Sequence, residues 1–481
     1  MVSSDMVPSF VTHMTDSGVA LADIDHRQRA PRSVPRTHEL EKHGQARIRT
    51  PIAGPCEEHE LAVVQVLSDG RLVSTTPTQA NHLLKTAEVC PFRAYALLRA
   101  RTAFAPNTVF RNLLWIPPYE SITSTVRHDG CNDHMLGEPY RFLSRFEERR
   151  HAYNRAKIED LLTAAVLRST RGKGDVLLLL SDGIDSTPLA RALAHGGIRA
   201  RCVTYATSGS QTHEFAASIA TKYGHEHVLV DVLKLRLEKL LAVFRDLTFP
   251  TVDFGSLGYA HLVTEGLSSP TTVVLDGSGN DRYMGPGVSR LDRFLHPVRR
   301  STGVDPYLSL KRKSLTPAYV AYNLFSDVDR PSPAHEGPLK ALLMSMYESR
   351  SRYLNALDTR SDLFTRRISA HQYNNNGRVF DLAGLLRVRF PWSDEHLRDY
   401  FFHAEEKRRD GASKVFLRRF LDDTENYSER IRGKRGFVFP ITSLLAGSSD
   451  MHGEQRTPAG LRRAMLGATL AQRWQPDAWG L

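Results

Sequence analysis

The clearest pattern of hydrophobic and polar positions lies between residues 175 and 194. Residues 176–180 form an almost continuous apolar run, which predicts a buried strand of a parallel sheet. The small polar turn 181–186 follows, and residues 189–194 then predict a helix. In such a unit the turn's backbone N–H groups and the positive end of the helix dipole face a bound anion. Ser181 and Ser186 add hydroxyl donors, so the pattern predicts a phosphate-binding turn.

Similar units follow along the chain. Residues 203–206 predict a second strand, an amphipathic helix then ends at Gly224, and a third strand begins after it. Residues 272–275 predict another apolar strand, which ends in a glycine-rich acidic turn at residues 276–281. Alternating strands and helices predict an α/β fold with a doubly wound parallel sheet, in which ligands bind at the carboxyl ends of the strands. We therefore expect both turns to open onto one crevice.

The first turn differs from the two common phosphate motifs. A Walker-type loop ends in Gly-Lys-Ser/Thr, and the dinucleotide fingerprint is Gly-x-Gly-x-x-Gly; neither follows residue 180. Serine and aspartate are also frequent helix caps, so a strand–turn–helix unit without a ligand is the alternative interpretation. Capping alone would not explain the further matches downstream.

Four landmarks carry a resemblance to a known family. The Ser-x-Gly-x-Asp-Ser turn at 181–186 resembles the PP-loop of ATP pyrophosphatases, which cleave ATP between its α and β phosphates. The Gly-x-Gly-x-Asp turn at 277–281, the Arg-Phe-Pro-Trp-Ser-Asp segment at 389–394 and the basic loop at 431–437 then follow in the order of the asparagine synthetase superfamily. That superfamily also contains β-lactam synthetases and lasso-peptide macrolactam cyclases, and the resemblance spans residues 100–445.

The resemblance implies ATP and Mg²⁺ as cofactors. Asp185 and Asp281, one from each turn, are the predicted metal ligands, since Mg²⁺ keeps phosphate oxygens and waters and needs few carboxylates. Lys434 is predicted to stabilise the oxyanion that develops when an amine attacks an acyl-adenylate, although a solvated surface lysine is the alternative. The predicted nucleotide-binding residues are Ser181, Asp182, Gly183, Ile184, Asp185, Ser186, Thr204, Tyr205, Gly277 and Gly279.

Two positions depart from the family pattern. Asp182 replaces the first glycine of the usual loop, which places a carboxylate near a polyanion unless it points outward or joins the metal shell. Ser278, a candidate catalytic residue, stands where asparagine synthetases carry Glu and β-lactam synthetases carry a catalytic Tyr. Serine cannot act as an unaided base. Neither asparagine formation nor β-lactam closure is therefore the first expectation.

The region before the synthetase segment predicts no glutaminase activity. Glutamine-dependent members begin with a catalytic cysteine, whereas this sequence begins with Met1. Residues 110–119 resemble the hinge that ends the family's glutaminase half, so we expect residues 55–150 to be a shortened, degenerate glutaminase-like β-rich domain. A hairpin is predicted from strands 61–66 and 71–74. An unrelated small β domain is the alternative.

Composition sets the remaining boundaries. A chain of 481 residues with 41% hydrophobic content can bury two or three domains. We expect a disordered basic tail at 1–54, the synthetase domain at 151–445 and a C-terminal tail at 446–481. There is no run long enough for a membrane span and no secretory signal, so a cytoplasmic location is expected. The scattered cysteines argue against a disulfide framework and a zinc site; they are Cys56, Cys90, Cys131 and Cys202.

The net charge of +11 and the pI near 9.5 indicate an anionic partner. ATP and pyrophosphate account for part of this charge, and a generally basic surface is the simplest explanation for the rest. Some PP-loop enzymes adenylate tRNA bases, but the sequence contains no recognisable RNA-binding module, which disfavours nucleic acid.

Three function hypotheses follow from the sequence. The first is an ATP-dependent amide synthetase that adenylates a peptide or small-molecule carboxylate and closes it with the substrate's own amine, as lasso-peptide cyclases do. A precursor peptide and a companion protease would then be its partners. The second is an ammonia- or amine-using amidotransferase for a small metabolite acid. The third is a non-catalytic descendant that binds a nucleotide or a peptide.

Overall fold

The computed structural model describes the chain over residues 11–15, 18–22, 37–38, 47–48, 62–66, 72–75, 83–84, 87–100, 103, 107–116, 122–128, 131–136, 151–171, 174–207, 213–269, 271–284, 334–335, 337–339, 377–404, 414–431, 439–447 and 456–476. The strands in this part of the chain are β1 Val11–Thr15, β2 Gly18–Ala22, β3 Thr37–His38, β4 Arg47–Ile48, β5 Ala62–Val66, β6 Leu72–Thr75, β7 Leu113–Ile116, β8 Ile122–His128, β9 Cys131–Leu136, β10 Val176–Leu179, β11 Arg201–Ala206, β12 Glu226–Asp231, β13 Val273–Leu275 and β14 Arg387–Arg389.

The described helices come before, between and after the strands of the central sheet in sequence. They are α1 Pro91–Ala100, α2 Arg155–Thr170, α3 Thr187–His195, α4 Glu214–Lys222, α5 Leu237–Val243, α6 Gly255–Thr264, α7 Asp281–Met284, α8 Val379–Leu382, α9 Glu395–Phe402, α10 Val415–Glu425, α11 Tyr427–Arg430, α12 Ile441–Gly447 and α13 Pro458–Leu470.

The central element is a five-stranded parallel sheet with the order β12-β11-β10-β13-β14. The chain leaves β10 towards β11 on one side and later places β13 on the other side, so the strand order reverses at β10. Ligands of open α/β sheets bind at such a switch point, beyond the carboxyl ends of the strands. The predicted α/β fold with a doubly wound parallel sheet is confirmed.

Both faces of this sheet are covered, as a parallel sheet requires. Side chains alternate between the faces, so Leu177 and Val274 lie in one apolar core while Leu178 and Leu275 lie in the other. Helices α2, α3, α4, α9 and α10 contribute to the second core, and helices α5, α6, α12 and α13 contribute to the first. The near-continuous apolar composition of the strands follows from this two-sided burial.

The N-terminal half contains small antiparallel sheets. Strands β3, β6, β5 and β7 form one of them, in the order β3-β6-β5-β7, and β5 pairs with β6 in the predicted hairpin. Strands β1, β2 and β4 form a three-stranded sheet within residues 1–54, which differs from the disordered tail expected there. Strands β8 and β9 pair with each other. The glutaminase-like character of residues 55–150 stays a prediction.

The C-terminal segment is packed against both halves of the molecule. Helix α13 buries Leu461, Met465 and Leu466, although the sequence analysis placed it in a tail. Beyond this helix, the guanidinium group of Arg473 donates a hydrogen bond to the Leu84 carbonyl and lies 5.1 Å from the Phe110 ring centroid. The apolar face of α13 therefore joins the N-terminal sheet region to the synthetase core.

The cysteines differ from expectation at one position. Cys90 is disulfide-bonded, with a partner whose side chain lies outside the described residues, so the argument against a disulfide framework missed this bridge. Cys202 is a free thiol in β11, and burial raises its pKa to about 12, which suppresses the reactive thiolate. In the described part of the chain, no helix has both the length and the apolar character needed to cross a bilayer.

Candidate active site

The phosphate-binding turn is closed by its own hydroxyl groups. Ser186 Oγ accepts a hydrogen bond from the Ser181 backbone N–H at 3.0 Å and donates one to the Ser181 carbonyl at 3.2 Å. Ser181 Oγ accepts from the Gly183 N–H at 3.2 Å. Ser186 is also the residue that precedes α3, yet within the described chain its side chain makes no capping bond to the helix. In the first turn of this nine-residue helix, the Thr187 N–H donates to the Gly183 carbonyl at 3.4 Å, the Leu189 N–H donates to the Ser186 carbonyl at 3.1 Å, and Pro188 has no N–H. The helix can therefore favour an anion through its dipole rather than through free N–H groups.

Asp182, the departure from the usual glycine, is used elsewhere. Its side chain is buried, and Oδ1 accepts a hydrogen bond from the Ala216 N–H at 2.8 Å, in the first turn of α4. The Asp182 carbonyl accepts from the Tyr427 hydroxyl at 2.9 Å. A carboxylate at a helix N-terminus is stabilised by the unpaired N–H groups and by the helix dipole. Asp182 is therefore a cap for a neighbouring helix rather than an outward-pointing group.

The second turn is held by a buried carboxylate. Asp276 follows β13, and its Oδ1 accepts from the Ser278 N–H at 2.7 Å, while its Oδ2 accepts a short hydrogen bond from the Tyr259 hydroxyl of α6. Burial raises the pKa of Asp276 and raises that of Tyr259 well above its usual value. Gly279 has a φ of 109°, which side-chain-bearing residues rarely adopt. The shape of this turn therefore depends on the tyrosine of another element.

The two turns touch at the switch point of the sheet. A methyl group added to Gly277 would lie 3.1 Å from the Ser186 nitrogen and 3.2 Å from the Asp185 carbonyl carbon. A side chain at this position would force the neighbouring backbone to shift by a few tenths of an ångström, so glycine suits the close approach. The structure thus brings the turns that contain Gly277 and Asp185 into contact, and the shared crevice stays a prediction.

Asp185 sits at the junction with a lysine that the sequence analysis did not identify. Lys414 Nζ donates to Asp185 Oδ1 at 2.7 Å and to Oδ2 at 2.8 Å. Asn280 Nδ2 donates to Asp185 Oδ1 at 2.5 Å, and Asn280 Oδ1 accepts from Lys414 Nζ at 3.1 Å. The Lys414 side chain is 9% exposed and the Asp185 side chain 33% exposed. Both a carboxylate and an ammonium group therefore stand where the two turns meet.

The Arg-Phe-Pro-Trp-Ser-Asp segment packs against the backbone of the first turn at Asp185. Trp392 is fully buried, and its indole N–H donates to the Asp185 carbonyl at 2.9 Å. Asp394 accepts from the His396 N–H at 3.0 Å at the start of α9 and pairs with Arg168 at 2.5 Å. The Arg389 carbonyl accepts from the Asp276 N–H at 2.9 Å, so this landmark fixes the backbone of both turns.

Several predicted nucleotide-binding residues use their side chains within the protein. The Thr204 hydroxyl donates to the Leu180 carbonyl at 2.9 Å, and the buried Tyr205 hydroxyl donates to the Gly258 carbonyl at 2.7 Å. Ile184 packs in the apolar core. Contacts from these positions to a nucleotide would therefore come from the backbone.

The remaining predicted site residues are Ser278, Asp281 and Lys434. Ser278 is partly exposed in the second turn. Asp281 begins α7, but its side chain lies outside the described residues. Lys434 also lies outside them. The structure brings Asp185 and the Ser278 turn together, and the predicted roles of Asp281 and Lys434 stay predictions.

The crevice can accept a divalent cation. Asp185 already binds an ammonium cation through both carboxylate oxygens, and hard oxygen donors suit Mg²⁺. Among the described residues, no cluster of three or more His, Cys, Asp or Glu side chains forms a metal site. Asp185 could contribute a carboxylate oxygen to a metal that takes most of its ligands from water and phosphate, and Asp281 stays the predicted second ligand.

Comparison with known proteins gave one family match and two solved structures of low similarity. No curated protein matches the chain. Among solved structures, an NH3-dependent NAD synthetase from Campylobacter jejuni subsp. jejuni NCTC 11168 is 15% identical, with a TM-score of 0.22 over 41% of this chain and 96% of that chain. The NMN synthetase from Francisella tularensis is 12% identical, with a TM-score of 0.22 over 59% of this chain and 100% of that chain. The asparagine synthase family model matches residues 157–454, more than half of the sequence, and the chain therefore belongs to the asparagine synthase family.

Proposed function

We propose that the protein is an ATP-dependent amide synthetase that adenylates a carboxylate and closes it with an amine of the same substrate. The lasso-peptide macrolactam cyclases, which the sequence resembles, perform this type of reaction. The observation that carries the proposal is the contact between the two turns at the switch point, with Asp185 between them. A polyanion bound at the first turn would lie beside that carboxylate.

Each part of the crevice has a role in the first half-reaction. A substrate carboxylate oxygen attacks the α phosphorus of ATP, and pyrophosphate leaves. The 181–186 turn and the N-terminus of α3 bind the phosphates. Asp185, with Asp281 as the family resemblance implies, would hold Mg²⁺, which when bound offsets the charge of the departing pyrophosphate. Lys414 adds a fixed positive charge at the same place.

The second half-reaction forms the amide. The amine attacks the acyl carbon, the amide forms, and AMP leaves with release of a proton. Lys434 is proposed to stabilise the developing oxyanion. Ser278 offers a hydroxyl group and not a base, so the arrangement favours an amine that the substrate itself delivers. Holding both reactants together removes most of the translational entropy cost of this step.

The proposed partners follow from this chemistry. The acyl substrate is a peptide or small molecule with a free carboxylate and an amine, which for the cyclase hypothesis means a short precursor peptide. A companion protease would expose its amine. The quickest check is to inspect the genes that neighbour this one. A short precursor peptide and a protease encoded there would support the cyclase form of the proposal.

The test is a pyrophosphate-release assay with purified protein, ATP, Mg²⁺ and the candidate peptide. We expect release that depends on the peptide and is not raised by glutamine or ammonium, with an amide product that has lost one water. Asp185→Asn is the negative control and Asp182→Asn, three residues away, is the matched control. A stoichiometric requirement for ammonium would favour the small-metabolite amidotransferase, and absence of release with every carboxylate would favour a binding protein.

A further inference from the structure

The predicted metal ligand Asp185 already holds a cation in this structure. The Lys414 ammonium nitrogen lies 2.7 Å from Oδ1 and 2.8 Å from Oδ2, so it faces both oxygens of the carboxylate. Oδ1 also accepts the Asn280 amide at 2.5 Å. A carboxylate has about four acceptor positions. Three of them are therefore taken before any metal arrives.

Lys414 is held in this place by an unusual backbone. It has φ 57° and ψ 33°, the left-handed region that side-chain-bearing residues seldom occupy, and it directly precedes α10. The far end of α10 is anchored through buried Glu425, which pairs with Lys222 at 2.7 Å. Strained backbone of this kind concentrates at functional sites. The ammonium group is therefore aimed at Asp185 by the fold.

The charges around Asp185 decide what else can bind there. In the protein without nucleotide, the carboxylate is neutralised by Lys414, and the N-terminus of α3 adds positive potential. Among the described side chains, a divalent ion entering this place would meet a carboxylate whose charge Lys414 already offsets, and like charges in a partly buried site repel strongly. A bound triphosphate reverses this balance because it adds several negative charges.

We infer that Lys414 occupies the divalent-cation position of Asp185 until a nucleotide binds, so that the metal enters only together with a nucleoside triphosphate. The inference rests on the proposed function in that the nucleotide is its ligand. Lys414 is thereby a binding residue for the metal–nucleotide complex, and it enforces the order in which the two components bind.

The test measures Mn²⁺ binding to the full-length chain by the electron paramagnetic resonance signal of free Mn²⁺. Without nucleotide, Lys414→Met, which keeps the side-chain stem and removes the charge, should bind Mn²⁺ at least about tenfold more tightly than the wild type. With α,β-methylene ATP present, both proteins should bind Mn²⁺. Adding Asp185→Asn to Lys414→Met should abolish the nucleotide-independent site.

The controls separate the inference from other effects. Lys222→Met removes another lysine ion pair, away from Asp185, and should behave as the wild type. Equal Mn²⁺ affinity of wild type and Lys414→Met without nucleotide would overturn the inference, and so would persistence of the site in the double variant. Tight nucleotide-free binding by the wild type would overturn it even if Lys414→Met does not fold. If the wild type binds no nucleotide, the proposed function fails, while the nucleotide-free comparison still decides the inference.

Discussion

The two turns that meet at the crevice are built in different ways. The first turn closes through the hydroxyls of Ser181 and Ser186, five residues apart in the chain. The second turn takes its shape from Asp276, whose buried carboxylate is held by Tyr259 from α6. Sequence patterns marked both turns. The partners from other elements that hold them, Trp392 for the first turn and Tyr259 for the second, became visible only in the fold.

The largest expected effect tests whether both turns serve one metal. Asp185→Asn and Asp281→Asn should each lower ATP-dependent product formation by at least about a hundredfold, because each removes a charge that the metal needs. Steady-state rates of pyrophosphate release measure this loss, with circular dichroism to confirm folding. Near-normal turnover in either variant would show that only one of the turns belongs to the active site.

The contact between the turns can be broken without changing any charge. Gly277→Ala places a methyl group against the backbone at Ser186, so we expect the free energy of unfolding to fall by about 1–3 kcal/mol and ATP binding to weaken. Urea unfolding and nucleotide titration measure the two effects. Gly174→Ala is the matched control, because nothing lies within 4 Å of the added methyl group there. Equal behaviour of the two variants would contradict the observed contact.

The buried carboxylate of the second turn should make stability depend on pH. Burial raises the pKa of Asp276 in the folded state, and Asp253 adds a repulsive charge. The folded protein therefore binds more protons than the unfolded chain above the ordinary aspartate pKa of about 3.9, and stability falls as pH rises through this range. Asp276→Asn should lack this fall. The test is the free energy of unfolding in urea, measured for both proteins at a series of pH values from about pH 4 upwards. The same pH dependence in both proteins would contradict a raised pKa at Asp276.

The smallest effect concerns the carboxylate of the first turn that does not face the crevice. Asp182→Ala should lower the free energy of unfolding by about 1 kcal/mol, since the Ala216 N–H loses its cap. Asp182→Asn should cost less because asparagine caps helices as well as aspartate does. Chemical denaturation measures stability, and the affinity for ATP should change little. A large gain in ATP affinity on removing the charge would instead place Asp182 beside the phosphates.

The hydrophobic pattern predicted the strands and helices whose apolar residues lie close together in sequence. The run at 176–180 became β10, residues 189–194 lie in α3, and the two predicted hairpin strands pair as β5 and β6. The three-residue strand β14 and the buried helix α13 were missed. The conformation of a short or weakly patterned segment depends on the surface against which it packs. That surface is formed by residues distant in sequence, so the local pattern does not reveal it.

The sequence by itself determined the parallel sheet, the positions of the two turns and the family, because apolar runs and glycine-containing turns act over a few neighbouring residues. Tertiary structure alone decided the environment of each charge. Lys414 is 229 residues from Asp185, and Asp182 caps a helix 34 residues away. Only folding brings these groups within hydrogen-bonding distance, and the energy of a charge is set by its burial and its neighbours. The same residue type, three positions apart, thus became a helix cap at Asp182 and a cation-binding group at Asp185.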